Sequence, residues 1–362
     1  MEKIKVRYHE NIYQRFLNTI QKTIPSPQTP SPQLLSSYTL VLPHELLEEA
    51  QIFLETLGTI VNLDEVGGFS PCLDFHVCYP YPSMGNSGSP KEMETPLKLI
   101  EINTNAAFMG LSQPLFVSHY LEPPLEVSHL ITQLLYWVDT SLGRHLTIVD
   151  DRPTHQNLYL EFQYYQTVFQ NAFDRVTIQD PAELDPDESV YYNRLTDFYL
   201  TEPNHERLRQ IFLKFPRKIT PNPNDYHQLA NKMRLVEWCN HPALAKHIPK
   251  TYPLTSVNRD ELWHQRKNLF FKATNLYGSK MSYRGESLSR KTFEELVKAQ
   301  NVIAQEYVPP HQIATPHHGI MKYDLRFYFH RSKILFAVGR LYQGQVTNAR
   351  TEGGGFAPII WE

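Results

Sequence analysis

A short apolar segment that contains two polar residues is the part of the chain best suited to chemistry. Residues 97–103 have the pattern of a β-strand, and side chains along a strand point alternately to its two faces. Glu101 and Asn103 would therefore project from the same face. Both carry side-chain oxygens, the ligand type that Mg²⁺ prefers in combination with substrate phosphates. The segment predicts half of a magnesium and phosphate site, and a polar strand face turned to solvent is the alternative.

A second candidate strand, residues 72–79, could supply another acid. Asp74 lies on it and is the predicted second carboxylate ligand. The same face also carries Cys72, His76 and Cys78, residue types that bind zinc. Successive side chains on one face of a strand are roughly 6.5–7 Å apart, so four of them cannot surround one ion in a tetrahedron. We therefore favour magnesium over zinc for this strand.

Lysines further along the chain could neutralise phosphate charge. Lys272 ends an apolar strand segment, and a small-residue turn that contains Ser279 and Lys280 follows it. The backbone of such a turn can approach phosphate oxygens. Lys232, on a predicted helix, is a further candidate. Each lysine could also lie on an ordinary solvated surface, so the residues alone leave phosphate binding open.

The strand end at residues 305–308 leads into two prolines and could present backbone N–H and C=O groups to the edge of adenine. Glu306 could then bind the exocyclic amine or the ribose hydroxyls. The predicted contacts of this segment are Gln305, Glu306, Tyr307 and Val308.

Two arginines near the C-terminal end are the candidate catalytic residues. Asp324 and Arg326 share a face of one predicted strand, Arg340 lies on the next strand, and Arg350 lies in a glycine-containing loop. Arginine near a triphosphate can stabilise the charge that develops as the γ-phosphoryl group moves. Arg340 and Arg350 could fill that role, and cross-strand ion pairs on an exposed sheet are the alternative.

The composition is typical of a soluble folded protein that acts on small molecules. Of 362 residues, 41% are hydrophobic and 20% charged, and the formal net charge is −3. The chain has no basic field for nucleic acid and no stretch long enough to span a membrane. Residues 1–16 lack the apolar core of a signal peptide, and three cysteines suit a reducing compartment. We therefore expect a cytoplasmic protein with no nucleic-acid or membrane partner.

The spacing of apolar residues predicts a mixed α+β (α/β) fold. A strand, helix and strand from residue 146 form a β-α-β pattern, which is typical of a parallel sheet, and the last two alternating strands suit a hairpin. P-loop, G-x-G-x-x-G, G-x-S-x-G and H-E-x-x-H patterns do not occur. Predicted helices cover 9–22, 44–58, 124–139, 157–172, 204–213 and 291–300, and further strands lie near 146–149, 176, 190–193, 268–272, 302–307, 325–330 and 334–342.

The order of these motifs resembles the ATP-grasp family. Residues 99–105 resemble its E-x-N magnesium strand, Lys232 and Lys272 its nucleotide lysines, and residues 305–308 its adenine hinge. In ordinary members the E-x-N strand comes last, whereas here it precedes both lysines. This order resembles the circularly permuted branch typified by the synthetase domain of glutathionylspermidine synthase and by uncharacterised bacterial relatives.

The resemblance implies a circularly permuted ATP-grasp fold with a Rossmann-like pre-ATP-grasp subdomain. It implies ATP, two Mg²⁺ ions and a ligase that joins a small-molecule or peptide carboxylate to an amine through an acyl phosphate, releasing ADP and phosphate. Asp74 would match the first acidic metal ligand, and Arg340 the arginine near the transferred phosphoryl group. The implied regions are 1–145, which supplies the metal-binding strands, 146–222, a substrate-side unit, and 223–362, the nucleotide-binding region with a lid near 250–305.

The N-terminal strands would then meet the C-terminal strands across a cleft, and residues 150–220 and the loop 309–318 would shape the acceptor pocket. Three departures bear on the substrates. Cys72 replaces the glutathione-contacting arginine of that branch, the lid turn is poor in glycine, and an amidase domain is lacking. These departures argue against glutathione and spermidine as substrates. A phosphotransferase or a nucleotide-binding module without turnover would keep the same fold.

Overall fold

The computed structural model describes residues 4–78, 95–184, 189–274, 282–299, 301–348 and 350–362. The mixed α and β organisation predicted from the sequence is confirmed. The strands are β1 (Lys5–Tyr8), β2 (Tyr38–Leu42), β3 (Cys72–Val77), β4 (Leu97–Asn103), β5 (His145–Val149), β6 (Arg175–Gln179), β7 (Ser189–Asn193), β8 (Ile219–Thr220), β9 (Thr251–Pro253), β10 (Leu269–Ala273), β11 (Ser282–Arg284), β12 (Val302–Glu306), β13 (His311–Thr315), β14 (Gly319–His330), β15 (Lys333–Tyr342) and β16 (Gly355–Trp361). The helices are α1 (Ile12–Ile20), α2 (Glu45–Gly58), α3 (Ser112–Ser118), α4 (Val127–Trp137), α5 (Tyr159–Phe169), α6 (Glu206–Lys214), α7 (Pro223–Asp225), α8 (Met233–Trp238), α9 (Arg259–Gln265) and α10 (Arg290–Lys298).

The largest sheet has eight strands in the order β1-β2-β16-β15-β14-β3-β4, with β13 also paired to β14. Its neighbours are antiparallel except β2 and β16, which run parallel. Strand β3 pairs directly with β14, so that Asp74 lies opposite both Arg326 and Glu101. Strands β3 and β4 therefore share one sheet with the C-terminal strands β14 and β15 and do not face those two strands across a cleft, because backbone hydrogen bonds join β3 to β14.

Helices cover both faces of this sheet. On α2, residues Leu46, Ala50, Phe53 and Leu57 recur at helical spacing and are fully buried, as expected of a helix with one apolar stripe. The Phe53 ring meets the Phe75 ring of β3 at a centroid distance of 5.3 Å. Helices α1 and α3 pack with the opposite face of the sheet. The core on both faces holds the central strands in a fixed register.

The second sheet is parallel and has the strand order β6-β5-β7-β8. Each of its strand pairs runs in the same direction. The chain leaves β5 towards β6 and then returns to the other side of β5 as β7. The boundary between β5 and β7 is therefore the point at which the strand order reverses, which is where open α/β sheets usually bind ligands.

The third sheet is antiparallel, in the order β11-β10-β12-β9. In its core, Phe271 and Ala304 of the strands pack with Phe293 and Leu296 of α10. The Phe271 and Phe293 rings meet edge to face at 5.9 Å. Helices α9 and α10 thus complete a small layered unit next to the eight-stranded sheet.

Most predicted elements are present, with shifts of a few residues at their ends. The strand predicted at 97–103 coincides with β4, whereas Lys232 precedes α8 and is not inside a helix. A π-helical turn over Tyr226–Ala230 ends at Asn231, and α8 begins only at Met233. The strands that were not predicted are β1, β2, β8, β9, β11, β13 and β16. None of the helices in the described part of the chain is long and apolar enough to cross a membrane.

Candidate active site

A cavity of about 630 Å³ is lined by residues from all three sheets. The eight-stranded sheet contributes Asp74, Glu101 and Arg340, and the antiparallel sheet contributes Lys272. The loop after β5 contributes Asp150. A pocket of this volume with a few convergent polar groups is of the size and character that hold small-molecule ligands. The predicted site residues that line it come from segments far apart in the sequence.

Asp74 is buried and held by two arginines. Arg326 binds it with two parallel hydrogen bonds, from Nε and Nη2, of 2.8 Å each, and Arg340 Nη2 donates to Asp74 Oδ2 at 3.0 Å. Burial by itself would raise the pKa of Asp74, but the charges of Arg326 and Arg340 hold the pKa below its usual value. Asp74 is therefore an ionised anchor for the two guanidinium groups as well as a candidate metal ligand.

Asn103 and Glu101 lie beside this carboxylate. Asn103 Nδ2 donates to Asp74 Oδ2 at 3.2 Å and to Glu101 Oε1 at 3.4 Å. Glu101 Oε2 lies 3.7 Å from the Nζ atom of Lys232. Burial would raise the pKa of Glu101, but the positive charges of Lys232, Lys272 and Arg340 together outweigh this effect and lower the pKa. The structure thus brings the three predicted metal-binding side chains together.

The donor set fits a magnesium ion better than a transition metal. Glu101, Asp74 and Asn103 offer only oxygen and amide groups, and Mg²⁺ usually takes one or two carboxylates with substrate phosphates and water. Among the described residues, no group of three or more His, Cys, Asp and Glu side chains could hold a metal ion. Both oxygens of Asp74 accept bonds from arginines, so Glu101 is the better placed of the two carboxylates.

Lys272 connects the antiparallel sheet to the eight-stranded sheet. Its buried Nζ atom donates to Gln305 Oε1 at 2.8 Å and to the carbonyl oxygen of Ile100 at 3.1 Å. Burial lowers the pKa of Lys272 to about 8, against the opposing effect of the nearby Glu101. Its position on the cavity wall agrees with a role at an anionic ligand. The other predicted phosphate-binding residues, Ser279 and Lys280, lie outside the described residues.

The predicted adenine hinge lines the cavity, and parts of its backbone are already engaged. The N–H groups of Glu306 and Tyr307 donate to carbonyl oxygens of neighbouring segments at 2.7 and 2.8 Å. The carbonyl oxygen of Val308 lies 2.8 Å from Nδ1 of His76. These three groups are therefore held in place by the protein, so the side chains and the remaining backbone groups of the hinge are what a ligand can reach.

Of the two candidate catalytic arginines, the structure places one at the cavity and the other away from it. Arg340 lines the cavity and binds Asp324 Oδ1 through its Nε at 2.6 Å, while Thr347 donates to the other oxygen of Asp324 at 2.6 Å. Arg350 is exposed and is not among the residues that line the cavity. Its backbone N–H donates to the side chain of Asn348, which turns the loop at this point. The structure therefore does not bring Arg350 to this cavity.

Several cavity residues were not selected from the sequence. The alternating pattern of the sequence shows that Asp324 and Arg326 lie on one face of a strand. It does not show that Arg326 binds Asp74 or that Asp324 binds Arg340, because those bonds depend on how the strands pair in the fold. Asp150 and Arg194 immediately follow the parallel strands β5 and β7. Because ligands bind at the carboxyl ends of parallel strands, the predicted β-α-β pattern was a usable signal for these positions.

The buried side chain of His205 contacts both the loop after β5 and the loop after β7. The two ring nitrogens of His205 lie 3.0 Å from Asp151 Oδ1 and 2.9 Å from Asp197 Oδ2. Burial would lower the pKa of His205, but the two carboxylates outweigh it and raise the pKa to about 9. An imidazolium at this position fixes both loops, which also carry cavity residues.

Replacing His205 with glutamine should lower the free energy of unfolding by about 2 kcal/mol at neutral pH, because hydrogen bonds to charged groups contribute about 1.5–3 kcal/mol. Since the pKa is raised in the folded state, this stabilisation is complete below about pH 6.5 and is lost as the pH rises through about 9. Urea unfolding across this range measures it. His44→Gln, at an exposed histidine paired with one carboxylate, is the control. A pH dependence unchanged in the His205 variant would contradict the assignment.

The fold resembles that of a provisionally assigned gamma-glutamylcysteine synthetase from Methylobacillus flagellatus KT. The TM-score is 0.50 and the sequence identity 13%, and the similarity covers 86% of this chain and 87% of that chain. At this identity the similarity concerns the fold alone. No protein-family model matches the chain, and no curated protein sequence matches it.

Proposed function

We propose that the protein is an ATP-dependent ligase that joins a carboxylate to an amine through an acyl phosphate and releases ADP and phosphate. The proposal rests on one observation: lysine side chains and a group of acidic and amide side chains line the same cavity. Lys232 pairs with Glu101, and Lys272 donates to the carbonyl oxygen of the preceding residue, Ile100. Asn103 and Asp74, next to Glu101, complete an oxygen-rich patch on the same cavity. Cations beside an acidic, magnesium-compatible patch suit a nucleoside triphosphate.

The fold we propose is a circularly permuted ATP-grasp fold. Three features support it: the E-x-N strand β4 early in the chain, the lysines of later segments, and the position of Lys272 between the antiparallel sheet and β4. The proposed regions are 1–145 with the metal-binding strands, 146–222 as the Rossmann-like substrate-side unit, and 223–362 as the nucleotide-binding region with its lid near 250–305.

Each wall of the cavity then has a role. Glu101, Asn103 and Asp74 would hold two Mg²⁺ ions, which when bound neutralise phosphate charge. Lys232 and Lys272 would bind phosphate oxygens, and Gln305, Glu306, Tyr307 and Val308 would surround the adenosine. The side chains of Asp74, Asn103, Lys272 and Gln305 are already held by hydrogen bonds within the protein. Little reorganisation of these four is therefore needed when a ligand enters.

Arg340 and Arg326 would act at the reacting end of the ligand. Both guanidinium groups are fixed by Asp74, and Asp324 adds a second anchor for Arg340. Fixed positive charge near the transferred phosphoryl group stabilises the transition state without a cost of reorientation. The same arginines could orient the substrate carboxylate for attack on the γ-phosphorus atom.

Hydroxylamine trapping tests the proposal without knowledge of the natural amine. The protein, ATP and Mg²⁺ are mixed with hydroxylamine and one carboxylate at a time, beginning with L-glutamate, which the name of the Methylobacillus neighbour suggests, and continuing through amino acids and simple dicarboxylates. The expected result is a hydroxamate formed together with ADP. A phosphorylated product formed without an amine would indicate a phosphotransferase. Absence of ADP with every carboxylate rejects the ligase.

A further inference from the structure

Asp150 lies where the parallel sheet meets the cavity. It directly follows β5, on the side where the strand order reverses between β5 and β7, and it lines the cavity together with Arg194, which follows β7. The aromatic rings of Phe162 and Phe198 also line the cavity. This wall is separate in sequence from the strands that carry the proposed nucleotide and metal residues.

The positive charge of Arg194 is already used by the protein. Its guanidinium donates to Asn105 Oδ1 at 2.6 Å and to the hydroxyl of Tyr192 at 2.9 Å, and it lies 3.8 Å from the fully buried carboxylate of Glu161. Glu161 in turn accepts the backbone N–H groups of Phe108 and Gly110. Arg194 is therefore a structural cation that closes this wall and not a free receptor for an anionic ligand.

Asp150, in contrast, has almost no partner. Only 8% of the residue is exposed, and among the described residues its carboxylate accepts one hydrogen bond, from the N–H of Asp151 at 2.9 Å, and forms no ion pair. The neighbouring acid, Asp151, faces His205. Because burying an unpaired carboxylate is costly, a carboxylate kept on a cavity wall suits a cationic ligand.

We propose that Asp150 binds the ammonium group of the acceptor substrate and takes a proton from it, so that the acceptor is an amine that enters the site protonated. This inference rests on the proposed ligase function. Burial raises the pKa of Asp150 to about 7, against the opposing effect of Arg194, so the carboxyl group can exchange a proton near neutrality.

The step balances without any further reactant. The ammonium group gives one proton to the Asp150 carboxylate and becomes a neutral amine. The amine nitrogen attacks the carbonyl carbon of the acyl phosphate, a C–N bond forms, and the bond from carbon to the phosphate oxygen breaks with its electron pair on phosphate. The second proton lost from nitrogen leaves on the phosphate as hydrogen phosphate, and Asp150 returns its proton to water.

The test compares methylammonium, which must lose a proton before it attacks, with hydroxylamine, which is largely uncharged at neutral pH. With the carboxylate found by hydroxamate trapping, Asp150→Asn should lower N-methylamide formation about 10²-fold to 10⁴-fold, the usual contribution of a general base. Hydroxamate formation should stay close to the wild-type rate, because hydroxylamine needs no general base to remove its charge. The control is Asp180→Asn, which makes the same change at the residue after the adjacent strand β6. The Asp180 side chain accepts hydrogen bonds from the backbone N–H groups of Arg152 and Ala182 and does not line the cavity.

The outcomes separate this inference from the ligase proposal. A wild-type protein that forms no hydroxamate with any carboxylate rejects the ligase itself. A wild-type protein that forms hydroxamate but no N-methylamide at saturating methylammonium overturns the role of Asp150, because no ammonium site is then present. Equal losses with both acceptors in Asp150→Asn, or no loss with methylammonium, overturn it as well.

Discussion

Replacing Glu101 with glutamine is expected to remove the Mg²⁺-dependent binding of ATP and to lower ligase turnover by about 10²-fold to 10³-fold, the size of effect seen when one group that stabilises transition-state charge is lost. Glu101 is the carboxylate of the oxygen-rich patch that is not held by an arginine, and 29% of its side chain is exposed to the cavity side. The amide keeps the shape of the side chain and removes its charge. Metal affinity should therefore fall while the fold is retained.

Melting temperature with and without Mg²⁺-ATP measures this effect directly. ATP at one hundred times its dissociation constant should stabilise the wild-type protein by about 2.7 kcal/mol, and Glu101→Gln should lose most of that gain. Glu55→Gln, the same change at an exposed position on α2, should behave as the wild type. A full Mg²⁺-dependent shift in the Glu101 variant would contradict the proposed metal site.

Replacing Asp74 with asparagine should lower the free energy of unfolding by about 3–5 kcal/mol, the typical cost of removing one partner from a buried ion pair. Asp74 is 1% exposed, and among the ion pairs of the described residues the change would leave Arg340 with Asp324 and would remove the pair of Arg326. Most of the cost arises because a buried positive charge loses its partner, not because a favourable contact is lost.

Urea unfolding tests this second effect with a surface pair as the control. Asp64→Asn breaks an ion pair with Arg331 in which both side chains are about half exposed, and such pairs contribute about 0–1 kcal/mol. The double variant Asp74→Leu with Arg326→Met should recover part of the loss, since the uncompensated charge of Arg326 is removed with its partner. A loss below about 1 kcal/mol in Asp74→Asn would show that the carboxylate is not the anchor of the two arginines.

Local patterns predicted the parts of the site that lie on one strand. The alternation in residues 97–103 placed Glu101 and Asn103 on one face, and the structure has β4 over the same residues. The hairpin of β14 and β15 likewise follows from two alternating strands joined by a short turn. Side-chain periodicity is a property of the backbone geometry itself, so it can be read from sequence without knowledge of the fold.

Contacts between distant segments could not be read in this way. Asp74 and Arg326 are 252 residues apart in sequence, and Lys272 is 172 residues from its acceptor at Ile100. Strands β2 and β16 pair in parallel from opposite ends of the chain. These pairings depend on the whole packed core, and the exposed position of Arg350 depends on a loop turned by Asn348. The functional partners of each residue therefore emerge only in the folded chain.

The most direct test of the central claim is the fate of carboxylate oxygen during turnover. The carboxylate identified by hydroxamate trapping is labelled with oxygen-18 and incubated with ATP, Mg²⁺ and the amine acceptor, and the inorganic phosphate is analysed by mass spectrometry. Attack of the carboxylate on the γ-phosphorus atom predicts one labelled oxygen in each phosphate, with ADP as the other product. Unlabelled phosphate, or label found in AMP, would contradict the acyl-phosphate ligase.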